Sequence, residues 1–179
     1  SQPVREMVSL VCKNPPLLLL SVAETFRNSN YAIGMAVAIY YFKYVLNDLT
    51  FLSVFLLITA VAGLLGSCAA TWIGVRLGKR NSYWIFLVLG GLGFVTAKLF
   101  GTSAWSFTLL CSTGTLFAAT ASSMSTALYS DTVTYGEWKT GKNLRAFTMA
   151  LSNFPIKLNI LIRSATVTMG LTAIGFVAN

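Results

Sequence analysis

Residues 51–75 read FLSVFLLITAVAGLLGSCAATWIGV. The stretch contains no charged side chain, and as a helix rising 1.5 Å per residue it would extend about 38 Å. The hydrocarbon core of a bilayer is about 30 Å thick and needs about 20 mostly apolar residues to cross. A run this long and this apolar, without period-2 alternation, predicts a membrane-spanning helix. Working outward, comparable runs lie at 17–42, 83–99, 104–128 and 146–176, with short polar gaps between them. The predicted fold is therefore all-α, a polytopic transmembrane helical bundle of five spans in a single domain over residues 1–179.

Composition agrees. Of the 179 residues, 55% are hydrophobic and 10% charged, whereas a soluble domain carries about 25% charged residues to coat itself in water. A net charge of +8 could suit nucleic acid, but the basic residues sit in short gaps between apolar runs, as in membrane proteins. The expected surroundings are a lipid bilayer, with no nucleic acid. Histidine is absent, and Cys12, Cys68 and Cys111 are far apart with no CxxC pair. A zinc or iron–sulfur site needs clustered soft ligands, so no metal or other cofactor is expected. Nor is there a nucleophile–base pair to support a membrane enzyme.

The gaps alternate in charge. Arg5, Lys13, Arg76, Lys79, Arg80, Lys139, Lys142 and Arg145 fall on one side of the five spans, while Lys43 and Lys98 fall on the other. Positive charge marks the cytoplasmic face, which places the N-terminus inside. Pro15 and Pro16 stand at the first helix entrance, where a missing N–H costs little. The preceding residues 4–11 have a weak amphipathic pattern suited to the membrane surface. Tyr40, Tyr41, Tyr44, Tyr83 and Trp84 fit either interfacial belts or ordinary packing. The small-residue stripes Gly114, Ala118, Ser122, Thr126 and Ala62, Gly66, Ala70 predict close helix–helix approach.

A charged side chain near the middle of a lipid-embedded helix costs at least about 2.5–3.5 kcal/mol, so such groups should face a bundle interior or a wet cavity. Glu24, Arg27, Lys157 and Arg163 are the candidates. Glu24 and Arg27, at i and i+3, share a helix face; a substrate-site role and a structural ion pair are both open for them. Lys157 lies about 16 Å into its span, near the midplane. Asn153 is one turn earlier with Ser152 beside it, and Pro155 frees the carbonyl of Leu151. Interrupted helices and polar groups at that depth are features of transporter substrate sites. Arg163 lies further along and is expected to snorkel to the interface.

The gap after the fourth span reads YSDTVTYGEWKTGK over residues 129–142 and is predicted to be a cytoplasmic loop broken by its glycines. It lacks the Ser or Thr that follows the lysine of a phosphate-binding loop, and no strand precedes it. The string YGEWKTGK at 135–142 closely resembles the loop between helices ten and eleven of the glycoside–pentoside–hexuronide cation symporters. These are the melibiose-permease-like branch of the major facilitator superfamily. Asn14-Pro15 followed by YYFKY at 40–44 resembles the family's seventh helix. RLGKR at 76–80 is similar to its basic turn between helices eight and nine, and NFPIK at 153–157 to its eleventh helix.

The resemblance implies the C-terminal half of such a carrier, helices seven to eleven of twelve, in the plasma (inner) membrane. Its substrate would be a sugar or glycoside taken up with Na⁺ or H⁺ by alternating access. The coupling cation would be bound mainly by an N-terminal six-helix bundle of the same polypeptide. Lys157 would line the central cavity beside Ser152 and Asn153, with Glu24 and Arg27 nearby. Asp131, Tyr135, Glu137, Lys139 and Arg145 would form cytoplasmic gate contacts. Thr134 replaces the family's second loop acid, Asn143 stands where an arginine is common, and Pro155 and Arg163 also depart from the pattern. The alternative is a non-transporting carrier remnant or membrane scaffold. The chain starts at Ser1 without a signal pattern and reads as a piece of a longer polypeptide.

Overall fold

The computed structural model describes residues 14–141 and 145–173. The amphipathic segment expected at 4–11, Lys142, Asn143 and the end of the fifth span near 176 lie outside them. Among the described residues every regular element is helical: α1 (Pro15–Tyr40), continued by a π-helical turn (Tyr41–Val45), α2 (Leu49–Leu77), α3 (Lys79–Phe100), α4 (Ala104–Thr140), α5 (Arg145–Leu151) and α6 (Phe154–Ala173).

The helix ends follow local chemistry. Asn14 caps α1, its Oδ1 accepting from the Leu17 N–H at 3.3 Å, with Pro15 and Pro16 in the first turn. Asp48 caps α2 in the same way through the Phe51 N–H, and Ser103 with Ser106 forms a capping box at α4. Only Gly78 separates α2 from α3; its φ of 79° and ψ of 145° belong to a region open essentially to glycine alone.

α2 and α3 are long and apolar enough to cross a membrane by composition. α2 turns Leu64 (69% exposed) and Val75 (84%) outward, the surface a bilayer requires. α4 is less apolar because it is rich in Ser and Thr. Those hydroxyls bond its own preceding turns: Thr108 to the Ala104 carbonyl, Ser112 to Thr108 and Thr115 to Cys111. A hydroxyl returned to its own helix leaves no orphan donor for lipid to meet.

α4 is the hub, packing on α1, α2 and α3. A Cβ on Gly93 would lie 2.5 Å from Gly114 Cα, and one on Gly66 would lie 2.2 Å from the Leu116 carbonyl oxygen. The Thr120 hydroxyl donates across the second contact to the Gly66 carbonyl at 3.0 Å. Ala62, Gly66 and Ala70 are all buried, as their stripe predicts. On α4 the stripe holds only at first: Gly114 and Ala118 are buried, but Ser122 is half-buried and Thr126 exposed. Burial continues instead through Ala121, Ser125, Thr132 and Gly136. Steps of four residues turn about 400°, so a strict i+4 stripe drifts about 40° per step off a face that repeats every 3.6 residues.

The predicted loop at 129–142 is corrected. α4 runs unbroken to Thr140, and only Gly141, with φ 65° and ψ 8°, ends it. At 37 residues α4 is about 56 Å long, so its last turns project beyond a bilayer's core. Gly136 does not break it. A Cβ there would come within 3.0 Å of Asn14 Nδ2, and that amide donates to the Thr132 carbonyl at 3.0 Å. Gly136 thus makes room for the start of α1. The fifth rod, by contrast, is broken at Ser152–Asn153 into α5 and α6, next to Pro155.

Gly93→Ala should lower stability by about 1–3 kcal/mol through overpacking. Gly91→Ala, two residues away with nothing within 4 Å, should be neutral or gain up to ~1 kcal/mol of helix propensity. Thermal unfolding in detergent separates the two, and equal behaviour would refute the backbone contact.

Candidate functional site

The most tightly bound polar cluster lies in the middle of α1. Arg27 grips Glu24 with two parallel bonds, Nε to Oε1 at 2.9 Å and one Nη to Oε2 at 2.8 Å. The same Nη donates to Asn28 Oδ1 at 3.2 Å, and Asn28 Nδ2 donates to the Glu24 carbonyl. From α3 the Tyr83 hydroxyl donates to Glu24 Oε1 at 3.0 Å. The Glu24 and Arg27 side chains are 7% and 12% exposed, so this is a buried, bidentate, hydrogen-bonded pair, the strongest form of such contact. Placement at i and i+3 brings the two charges together. Tyr83, at 2% exposure, is a second anchor and not an interfacial aromatic; Trp84 beside it is exposed.

The residues expected around Lys157 are arranged differently. Ser152 is half-buried and returns its hydroxyl to the Met149 carbonyl at 2.7 Å, while Asn153 and Lys157 are exposed. Around the break, the Ser152 N–H bonds the Thr148 carbonyl, that of Asn153 bonds Ala150, and that of Lys157 bonds Asn153. Pro155 is buried. α6 packs on α1, so Lys157 belongs to the same helix pair as Glu24 and Arg27. Among the described residues no hydrogen bond or ion pair joins the two groups.

At the other candidate site, Lys79 Nζ bonds both Asp131 oxygens, at 3.0 and 3.1 Å, tying the start of α3 to α4 with both side chains about half exposed. Lys139 Nζ lies 5.8 Å from the Tyr135 ring centroid, and the Tyr135 and Trp138 rings are 6.1 Å apart. Glu137 is half-buried and Arg145 opens α5. Asn14, docked on Thr132, belongs to the same end of the bundle. A cavity of about 480 Å³ lies there between α1, α3 and α4, with Arg80, Asp131 and Tyr135 in its wall. Lys43 and Lys98 are at the opposite end, where the Tyr41 hydroxyl donates to the Gly101 carbonyl at 2.9 Å and its ring stacks on Phe107 at 4.4 Å.

Sequence reading missed Tyr83, Lys79 and Asn14 as partners. Tyr83 lies 59 positions from Glu24 and Lys79 52 from Asp131, separations that no periodicity connects. Asn28, one helical turn from Glu24, was within reach of the spacing argument.

The sequence pattern of the MFS/sugar transport protein family matches residues 1–179, the whole chain. The chain belongs to this family. It is 30% identical over 169 residues to the "Putative sulfoquinovose importer" of Escherichia coli (strain K12), covering 94% of this chain and 36% of that protein. It is also 30% identical over 187 residues to the isoprimeverose transporter of Lactiplantibacillus pentosus, covering 100% of this chain and 38% of the relative. With the glucuronide carrier protein homolog of Escherichia coli (strain K12) the identity is 28% over 172 residues, 93% of this chain and 37% of the relative. The chain thus spans little more than a third of the length of these relatives. The resemblance to glycoside–pentoside–hexuronide carriers is borne out, and the protein is an all-helical membrane protein of a sugar-transporting family.

Removing one partner of the Glu24–Arg27 pair strands a buried charge. Glu24→Gln or Arg27→Gln should each cost about 3–5 kcal/mol, and the double substitution less than their sum. Tyr83→Phe should cost about 1.5–3 kcal/mol through loss of a bond to a charged acceptor. Unfolding midpoints of the four variants check this; additive losses would show that the pair is not coupled.

Proposed function

We propose that the chain is the C-terminal bundle of a carrier that moves a sugar with Na⁺ or H⁺ by alternating access, five spans of which are present here. The observation that carries this reading is the interruption of the fifth rod at Ser152–Asn153, with Asn153 and Lys157 exposed beside it. Irregular backbone at membrane depth persists only where protein buries it or a water-filled cavity meets it, and an ammonium there needs the same wet interior. Transporters build central substrate sites from such discontinuous helices. The relatives' names support sugar-like solutes: sulfoquinovose, isoprimeverose and a glucuronide.

In this reading Lys157, Asn153 and Ser152 line the substrate cavity. Glu24 and Arg27 hold the wall of α1 at the same depth, locked by Tyr83. The inward gate is built from Lys79–Asp131 with Tyr135, Glu137, Lys139 and Arg145. An exposed ion pair contributes only ~0–1 kcal/mol, which suits a contact that must form and break in every cycle. The basic end of the bundle faces the cytoplasm of the inner membrane, and the partner bundle with the cation site belongs to the remainder of the polypeptide.

Two measurements in the full-length carrier test this. Lys157→Ala, at normal membrane abundance, should reduce sugar uptake at least tenfold; unchanged uptake and cation dependence would remove Lys157 from the mechanism. Asp131→Lys should slow turnover, and adding Lys79→Asp should restore much of it. A double variant no better than the single one would rule out a gating ion pair.

A further inference from the structure

The cavity of about 480 Å³ at the basic end of the bundle differs in kind from the groove between α1 and α6, where Asn159 and Arg163 stand together. Its wall is mostly carbon: Pro16, Leu19, Leu20 and Ala23 of α1 share it with Trp84 of α3 and Leu128 of α4. Leu19 is 70% exposed and Trp84 52%, so it is a groove open to the surroundings of the bundle and not an enclosed void. Three of its polar side chains are already engaged within the fold. The Tyr83 hydroxyl donates to Glu24, the Thr132 hydroxyl donates to the Tyr129 carbonyl, and both Asp131 oxygens accept from Lys79. A polar solute would lose its water there and find few partners. Arg80 is left over, exposed at the wall and in no ion pair among the described residues. Asp131 neutralises Lys79 alone, so Arg76 and Arg80 leave this end of α2 and α3 with net positive charge.

We propose that this groove is a binding site for an anionic phospholipid. One acyl chain lies along Leu19, Leu20 and Ala23, and the phosphate sits on Arg80, whose planar fork matches phosphate oxygens in pairs. The half-exposed Trp84 ring stands beside it at headgroup level, where indoles collect in membrane proteins. Burial from water does not hold the chain, because a bilayer is already apolar. Packing does: an unfilled groove forfeits the dispersion contacts of every atom in its wall, and an acyl chain restores them between α1 and α3, which are joined beside it by the Tyr83–Glu24 bond. Charge then selects the headgroup. Basic residues near the membrane surface favour anionic lipid, and Arg80 and Arg76 supply charge that no carboxylate here offsets. The inference requires only that the bundle lies in a bilayer, and it stands or falls apart from the carrier reading.

The test offers the delipidated full-length protein, in detergent, equal amounts of phosphatidylglycerol and phosphatidylcholine and reads bound lipid by native mass spectrometry. The parent should retain phosphatidylglycerol in preference to phosphatidylcholine. Arg80→Gln should weaken that binding about fivefold, the factor that one basic residue supplies near an anionic headgroup, and Arg80→Lys should keep most of it. Lys98→Gln, at the opposite end of the bundle, should leave it nearly unchanged. Phosphatidylglycerol brominated on its acyl chains should quench Trp84 at a few lipids per protein, read as the difference between the parent and Trp84→Phe. No preference for phosphatidylglycerol, or equal losses from Arg80→Gln and Lys98→Gln, would overturn the site. Retained phosphatidylglycerol that leaves Trp84 unquenched would also overturn it, because the groove would then be filled by another segment of the polypeptide.

Discussion

α4 approaches its neighbours at backbone distance, and the bundle depends on that approach. In lipid no hydrophobic effect drives helices together, so association rests on van der Waals packing and on hydrogen bonds between close backbones. Gly93 against Gly114, and Gly66 against Leu116 and Thr120, supply both. With α2 and α3 held so closely, Tyr83 on α3 is brought within bonding distance of Glu24 on α1. Lys79, at the first position of α3, is brought to Asp131. The polar sites follow from the packing of small residues.

The two ion pairs differ in their surroundings. Glu24–Arg27 is buried, bidentate and supported by Tyr83 and Asn28, so either charge alone would be stranded. It behaves as a fixed strut within α1. Lys79–Asp131 is half exposed, weakened by water and salt, and stands at the end of the bundle where the basic residues collect. Burial makes the first pair costly to break and leaves the second one weak. The break before α6 is a third feature, an interruption of the last rod beside which the Asn153 and Lys157 side chains are exposed.

Much of this was legible in the chain. Long apolar runs forced helices, the Asn14-Pro15-Pro16 start marked a real end, and Pro155 announced the broken rod, because each acts through its own backbone within one turn. The same local logic failed at Gly136. A glycine in a polar stretch reads as a breaker, but here it admits a side chain from more than a hundred residues away. The Gly114 stripe was right for two members and then left the contact face, because a four-residue repeat and a 3.6-residue helix diverge.

Sequence by itself determined the helical class, the number of rods, the family and the i, i+3 pairing of Glu24 with Arg27, since length, apolarity and local spacing fix these without reference to distant residues. Tertiary structure alone decided that Tyr83 completes the Glu24 site, that Lys79 holds Asp131, and that Asn159 and Arg163 share a groove with α1. These depend on which helix faces lie against one another, and that is set by the summed packing of all five rods, which no single stretch of the chain encodes.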